Sequence, residues 1–199
     1  MVEVVTPPTK TELRADVIRA RRAVPDDLRD SEAQALCHWL PSLVCGGQTV
    51  CAYVPVGSEP GSRMLLDTLA ELGVRVLLPV ARKDGDGRPM PMQWGPYEAG
   101  TLVAGEFGLR EPPAPWLPPG HIADAELVLV PALAVDRKGN RLGRGAGFYD
   151  RSLIYAARHT RLVAVVRDDE LVDDLPADPH DVRMTHALTP SGGIVTLRR

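Results

Sequence analysis

Aromatic residues are scarce: two Phe, three Trp and four Tyr make up 5% of the 199 residues. So sparse a set offers few stacking platforms and argues against a binder of single-stranded nucleic acid. Lysine is scarcer still. Of 23 basic residues, only Lys10, Lys83 and Lys138 are lysines and the rest are arginines, a skew that reads as coding bias. The net charge of −3 gives no overall positive field, which disfavours duplex nucleic acid as a partner. Cysteine is limited to Cys37, Cys45 and Cys51, with no CxxC or zinc spacing. An odd count without a secretory start reads as reduced thiols in a cytoplasmic protein. The opening MVEVVTPPTKTEL lacks the basic start and apolar core of a signal peptide. No apolar run approaches the roughly 18 residues that span a bilayer, so no membrane partner is expected.

What remains is ordinary globular material, 44% apolar and 25% charged. A chain this long buries about 70% of its unfolded surface without a disulfide or metal staple. One domain over 1–199, and a monomer, are expected.

Thr9-x-x-Glu12 has the form of a capping box and predicts a first helix, with Leu13, Val17 and Ala20 at helical spacing and Pro25 as its stop. Asp30 or Ser31 would cap a second helix ending at Pro41. Thr49–Val54 is β-branched and apolar nearly throughout, as expected of a strand buried on both faces. A helix over Ser62–Leu72, with Gly73 just past its end, and a strand over Arg75–Val80 complete a βαβ unit, the sign of a parallel or mixed sheet. Residues 83–121 are rich in Gly and Pro and read as an excursion or small β-hairpin followed by an ordered loop. Leu127–Val130 and Leu162–Val166 are further strands, Phe148–Ala157 a helix, Asp168–Arg183 a polar segment, and Ile194–Leu197 a final strand.

The richest chemistry lies in Arg141-Leu-Gly-Arg-Gly-Ala-Gly-Phe-Tyr-Asp150. Gly143, Gly145 and Gly147 alternate just before a helix, so backbone N–H groups can face an anion, with Arg141 and Arg144 beside them. Asp150, in the first turn of that helix, suits a Mg²⁺ ion beside phosphates. The stretch is neither a Walker A loop nor a dinucleotide GxGxxG. A solvated Gly-rich loop with Asp150 as a helix-dipole charge is the alternative. Lys10 and Arg14 share one helical stripe, either as a polyphosphate clamp or as a solvated surface. Glu59 follows the first strand, where α/β sheets usually bind ligands; it is either an acceptor for a heterocycle's N–H groups or a turn residue. Asp181, alone, reads as a surface acid or a second Mg²⁺ ligand.

The order and spacing of several segments resemble the 5-formyltetrahydrofolate cyclo-ligase family. They are Lys10-x-x-Leu13-Arg14, Tyr53-Val-Pro-Val-Gly-Ser-Glu59, Phe107-Gly-Leu-Arg-Glu-Pro112, Leu129–Asp136, Gly139–Arg151 and Pro179-His-Asp181. The resemblance covers nearly the whole chain, and the block from Val130 to Arg151 is its specific part. It implies an α/β class fold, a three-layer α/β/α arrangement with a mixed, mostly parallel sheet, similar to the NagB/RpiA/CoA transferase-like fold. It implies that ATP and 5-formyltetrahydrofolate give 5,10-methenyltetrahydrofolate, ADP and phosphate. In such enzymes the formyl oxygen attacks the γ-phosphate, the N10 nitrogen then attacks the formyl carbon, and phosphate leaves. No covalent enzyme nucleophile is needed.

Residue by residue, the resemblance implies ATP contacts at Lys10, Arg14, Arg141, Leu142, Gly143, Arg144, Gly145, Ala146, Gly147, Phe148 and Tyr149. Mg²⁺ falls to Asp150 and Asp181, and a reduced folate, possibly polyglutamylated, to Glu59, Val54 and Phe148. Arg144 and Tyr149 are the candidate catalytic residues. The chain departs from the family at Ala146, where many members carry a lysine, and at Phe148, which keeps a ring and loses a hydroxyl. A non-catalytic folate- or nucleotide-binding homologue and a kinase of another small molecule are the rival functions.

Overall fold

The computed structural model describes residues 8–178 and 181–197. Along the chain come α1 (Lys10–Arg22), α2 (Asp26–Leu43), β1 (Thr49–Cys51), α3 (Arg63–Glu71), β2 (Arg75–Val80) and β3 (Gln93–Pro96). Next are β4 (Val103–Ala104), β5 (Arg110–Glu111), β6 (Leu127–Pro131), β7 (Ala134–Asp136), β8 (Arg141–Leu142) and α4 (Phe148–Leu153). β9 (Arg161–Val165), β10 (Leu171–Val172), β11 (His186–Thr189) and β12 (Gly193–Thr196) follow.

Seven strands form one sheet in the order β12-β11-β9-β6-β1-β2-β3. The five central strands are parallel, and the edge strands β3 and β12 run antiparallel to their neighbours. Side chains alternate between two cores, as a pleated strand requires. Val50, Leu78, Leu129 and Val163 face α2 and α3, while Cys51, Leu77, Val128 and Ala164 face the layer that holds Ile122 and α4. The mixed, mostly parallel sheet between helical layers is the architecture expected.

Local signals decide several boundaries. The Thr9 hydroxyl accepts from the Glu12 N–H and the Glu12 carboxylate accepts from the Thr9 N–H, so the capping box forms. β1 and β2 pair in parallel around α3, which gives the βαβ unit. Other boundaries moved. α2 begins at Asp26, not at Ser31, with Asp26 and Asp27 in its first turn near the positive end of the dipole. It runs through Pro41, because Leu43 is buried and that packing outweighs the missing N–H. β1 is three residues long; beyond it the Ala52 N–H still donates to the Leu77 carbonyl before the chain leaves the sheet. α4 ends at Leu153, short of Ala157. The excursion supplies the edge strand β3 as well as the β4–β5 hairpin. β11 was unforeseen; its partners lie in β9 and β12.

A second, three-stranded sheet, β10-β7-β8, stands beyond the C-terminal end of β6. Leu13, Val17 and Ile18 of α1 pack on its Leu133, Ala134, Leu142 and Leu175. α1 is thereby held over the mouth of the parallel strands. Arg21 completes the attachment: its Nε and Nη2 donate to the Glu170 carboxylate at 2.6 and 2.7 Å, and Nη2 also donates to the Ala132 carbonyl.

Candidate active site

The glycine loop is entered through a tight turn. Asp136 is fully buried, and its carboxylate accepts from the N–H groups of Lys138, Asn140 and Leu175 and from the Asn140 side chain. Gly139 has φ +87°, and a Cβ there would lie 2.4 Å from the Met184 carbonyl oxygen. Only glycine fits both conditions. The turn aims residues 143–147 into solvent, where their N–H groups donate to no backbone carbonyl among the described residues.

Cations gather round this loop. Arg14 of α1 donates from Nε to the Gly143 carbonyl at 2.8 Å, and its guanidinium lies 3.4 Å from where a Cβ on Gly145 would stand. Lys10, one turn away, donates to Asp178 at 2.6 Å and to Asp181 at 2.8 Å. Burial alone would lower the Lys10 ammonium; the bonds to these two acids outweigh it and hold the group above its ordinary value. Arg141 Nη2 donates to Asp150 at 2.6 Å, and its guanidinium lies 5.6 Å from the centre of the Tyr149 ring. Its Nε is buried without a hydrogen-bond partner. Such an orphan donor in an otherwise buried side chain is costly and marks a place for an incoming acceptor.

The loop faces a cavity of about 430 Å³ at the C-terminal ends of β1, β2 and β6. Val54, Glu59, Phe148, Tyr149 and Asp150 line it. The Glu59 carboxylate accepts from the Val56 N–H at 3.0 Å and from Arg144 Nε at 3.0 Å, so the glycine loop reaches across to the loop after β1. Burial, then the Glu59 charge, push the Tyr149 phenol well above its ordinary value. Its hydroxyl is therefore neutral, a donor rather than a base.

The structure brings Arg14 and Glu59 to the glycine loop, through the Arg14–Gly143 and Arg144–Glu59 contacts, and Val54, Glu59, Phe148, Tyr149 and Asp150 to one cavity. Lys10 and Asp181 meet each other one helical turn from Arg14, outside the lining of that cavity; Pro179 and His180 of the last motif lie outside the described residues. α4 has six residues, so the anion cradle belongs to the loop more than to a helix dipole. Sequence reasoning missed the role of Asp136, although Asp136-x-x-Gly-Asn140 is a readable turn signature. It also missed Arg21 with Glu170, which lie too far apart in the chain to signal anything.

Groups of three or more His, Cys, Asp or Glu able to hold a metal do not occur among the described residues. Asp150 is held by Arg141 and Asp181 by Lys10; each is a single carboxylate of the kind that a Mg²⁺ ion takes together with phosphate and water.

A family model described as the 5-formyltetrahydrofolate cyclo-ligase family matches residues 7–190. The chain belongs to that family. The 5-formyltetrahydrofolate cyclo-ligase of Mycolicibacterium smegmatis is 64% identical over 193 residues, covering 97% of this chain and all of the relative. That of Escherichia coli K12 is 28% identical over 176 residues, covering 87% and 95%. Among solved structures, the 5,10-methenyltetrahydrofolate synthetase of Aquifex aeolicus superposes with a TM-score of 0.77 at 25% identity, covering 96% of this chain and 93% of its own. The Mycoplasma pneumoniae synthetase, at 20% identity and a TM-score of 0.67 over 89% and 96%, shares the fold. As a cyclo-ligase family member the chain is an enzyme. No helix among the described residues is long and apolar enough to cross a membrane.

Proposed function

We propose that the chain cyclises 5-formyltetrahydrofolate to 5,10-methenyltetrahydrofolate with ATP and Mg²⁺, releasing ADP and phosphate. The observation that carries this reading is the Arg144–Glu59 contact at 3.0 Å. It joins the anion-cradling loop to the carboxylate that would accept from a pterin's N–H groups, so both substrates face one cavity.

The fit of a nucleotide rests on the buried, orphaned Nε of Arg141 and on the free N–H groups of the loop. Lys10, Arg14, Arg141 and Arg144 bind and neutralise the phosphates. Asp150 and Asp181 would hold Mg²⁺, which when bound supplies further neutralisation of phosphate charge. Glu59 orients the pterin so that the formyl oxygen faces the γ-phosphate, with Val54 and Phe148 as apolar walls. Attack of that oxygen on the γ-phosphorus breaks its bond to the β-phosphate oxygen, releases ADP and makes a phosphorylated formyl group. N10 then attacks the formyl carbon, its N–H proton passes to the departing phosphate, and phosphate leaves with the oxygen. The enzyme's work is alignment and charge neutralisation, which fits a site without a nucleophile–base pair. Arg144 meets charge on the moving phosphoryl group, and Tyr149 holds a neutral hydroxyl beside it. The setting we propose is a soluble monomer in the cytoplasm.

The test is absorbance of the methenyl product, with each substrate withheld in turn. The expected result is a signal that needs both ATP and 5-formyltetrahydrofolate. Binding of both by calorimetry with no absorbance change would identify a non-catalytic homologue instead.

A further inference from the structure

The cavity holds one lysine that nothing above uses. Lys83 follows β2, is bridged to Pro89, and lines the same cavity as the glycine loop. Arg21, Arg141 and Arg144, which also line it, are each paired with a carboxylate. Lys83 makes no ion pair among the described residues; its ammonium lies 5.2 Å from the centre of the Phe107 ring. Phe107 in turn lies 5.6 Å from Phe148, ring to ring. Phe107 sits at φ +57°, a conformation costly for a bulky residue, yet its ring is half-exposed. Strain and exposure together are hard to explain by packing.

The contacts run in series. Glu59 meets Arg144; four residues along the loop Phe148 meets Phe107; Phe107 meets Lys83. The order is an acceptor for a heterocycle, an aromatic step, then an uncommitted cation. A folate has the matching order of pterin, benzoyl ring and glutamate. We propose that Lys83 is the specificity-determining residue for the glutamate end of the folate, its ammonium pairing with a tail carboxylate at the cavity mouth. This rests on the folate reading above. Arg110, exposed on β5 and also lining the cavity, is placed to meet a further carboxylate of a longer tail.

The experiment is calorimetry of Lys83→Met and Lys83→Arg against the parent chain, with three ligands. They are 5-formyltetrahydrofolate, the same molecule without its glutamate (5-formyltetrahydropteroate), and MgATP. Lys83 is exposed and outside the packed core, so both variants should fold as the parent does. Lys83→Met should weaken the glutamate-bearing ligand by about tenfold, the size of one partly exposed charge-assisted contact, and leave the pteroate and MgATP unchanged. Lys83→Arg should restore most of the loss. Equal weakening of folate and pteroate, no weakening of either, or a loss confined to MgATP would each overturn the proposal. If the parent chain binds no folate at all, the function proposed above fails with it, and that result is distinct from the others.

Discussion

The Arg21–Glu170 and Arg141–Asp150 pairs both join an arginine to a carboxylate at 2.6 Å, yet they stand in opposite surroundings. The side chains of the first pair are 2% and 6% exposed, and the Glu170 oxygens also receive the Arg167 N–H. Both Glu170 oxygens and the Nε and Nη2 of Arg21 are matched within the protein. In the second, Arg141 is buried with an orphaned Nε while the Asp150 side chain is 40% exposed at the cavity. The Arg144–Glu59 pair is open in the same way, with Arg144 half-exposed and both members lining the cavity. A closed pair can only hold; breaking it leaves a buried charge. An open pair can trade its partner for a ligand. Without ligands the site is self-neutralised, and MgATP would offer each side a replacement at once, the cations taking phosphate and the carboxylates metal.

This contrast can be broken most forcefully at Glu170. Glu170→Gln should lower unfolding free energy by about 3–5 kcal/mol, because the Arg21 guanidinium would remain buried against a neutral amide. Urea denaturation measures it, and a change below about 1 kcal/mol would mean the closed pair is no more than an open one. Asp150→Asn should do the reverse: turnover falls on the order of 10²-fold while the urea midpoint barely moves. Near-normal turnover at saturating Mg²⁺ would remove Asp150 from the proposed site. Glu59→Gln should weaken folate binding by about 1.5–3 kcal/mol in calorimetry and MgATP binding far less. Equal losses would put Glu59 on the nucleotide side. The smallest effect is expected from Ala146→Lys, a modest rise in kcat/KM for ATP, since charge placed at the transferring group acts in the transition state but a flexible ammonium is imperfectly aimed. Its companion Arg144→Ala should harm turnover, with no lysine on the loop to stand in. If both variants match the parent in steady-state kinetics, the phosphoryl charge is met elsewhere.

What the sequence disclosed and what it withheld follow from range. The capping box at Thr9 and the glycine loop are written within about ten residues each, and each element of the βαβ unit over Thr49–Val80 carries its own short signal, so local rules find them. Lys10, Arg14, Glu59 and Asp181 could be named by resemblance, but the approach of Arg14 to the glycine loop depends on α1 docking on β7 and β8, which no spacing encodes. β11 escaped because His186-Ala-Leu-Thr189 is short and gains its strand character from β9 and β12. The length of α2 escaped because Pro41 is a correct local stop signal overruled by burial of Leu43. Lys83 carried no motif at all, and Phe107 opened a family segment that gave it no role.

Asp136 makes the glycine loop depend on a distant part of the chain. Its carboxylate holds the entry to the loop and, through the Leu175 N–H, a segment nearly forty residues later. The Met184 N–H, donating to the Gly139 carbonyl, fastens the same turn to the returning chain a second time. The loop is therefore a joint product of two stretches of sequence, and a change confined to the C-terminal quarter can alter its shape without touching any residue of the loop itself.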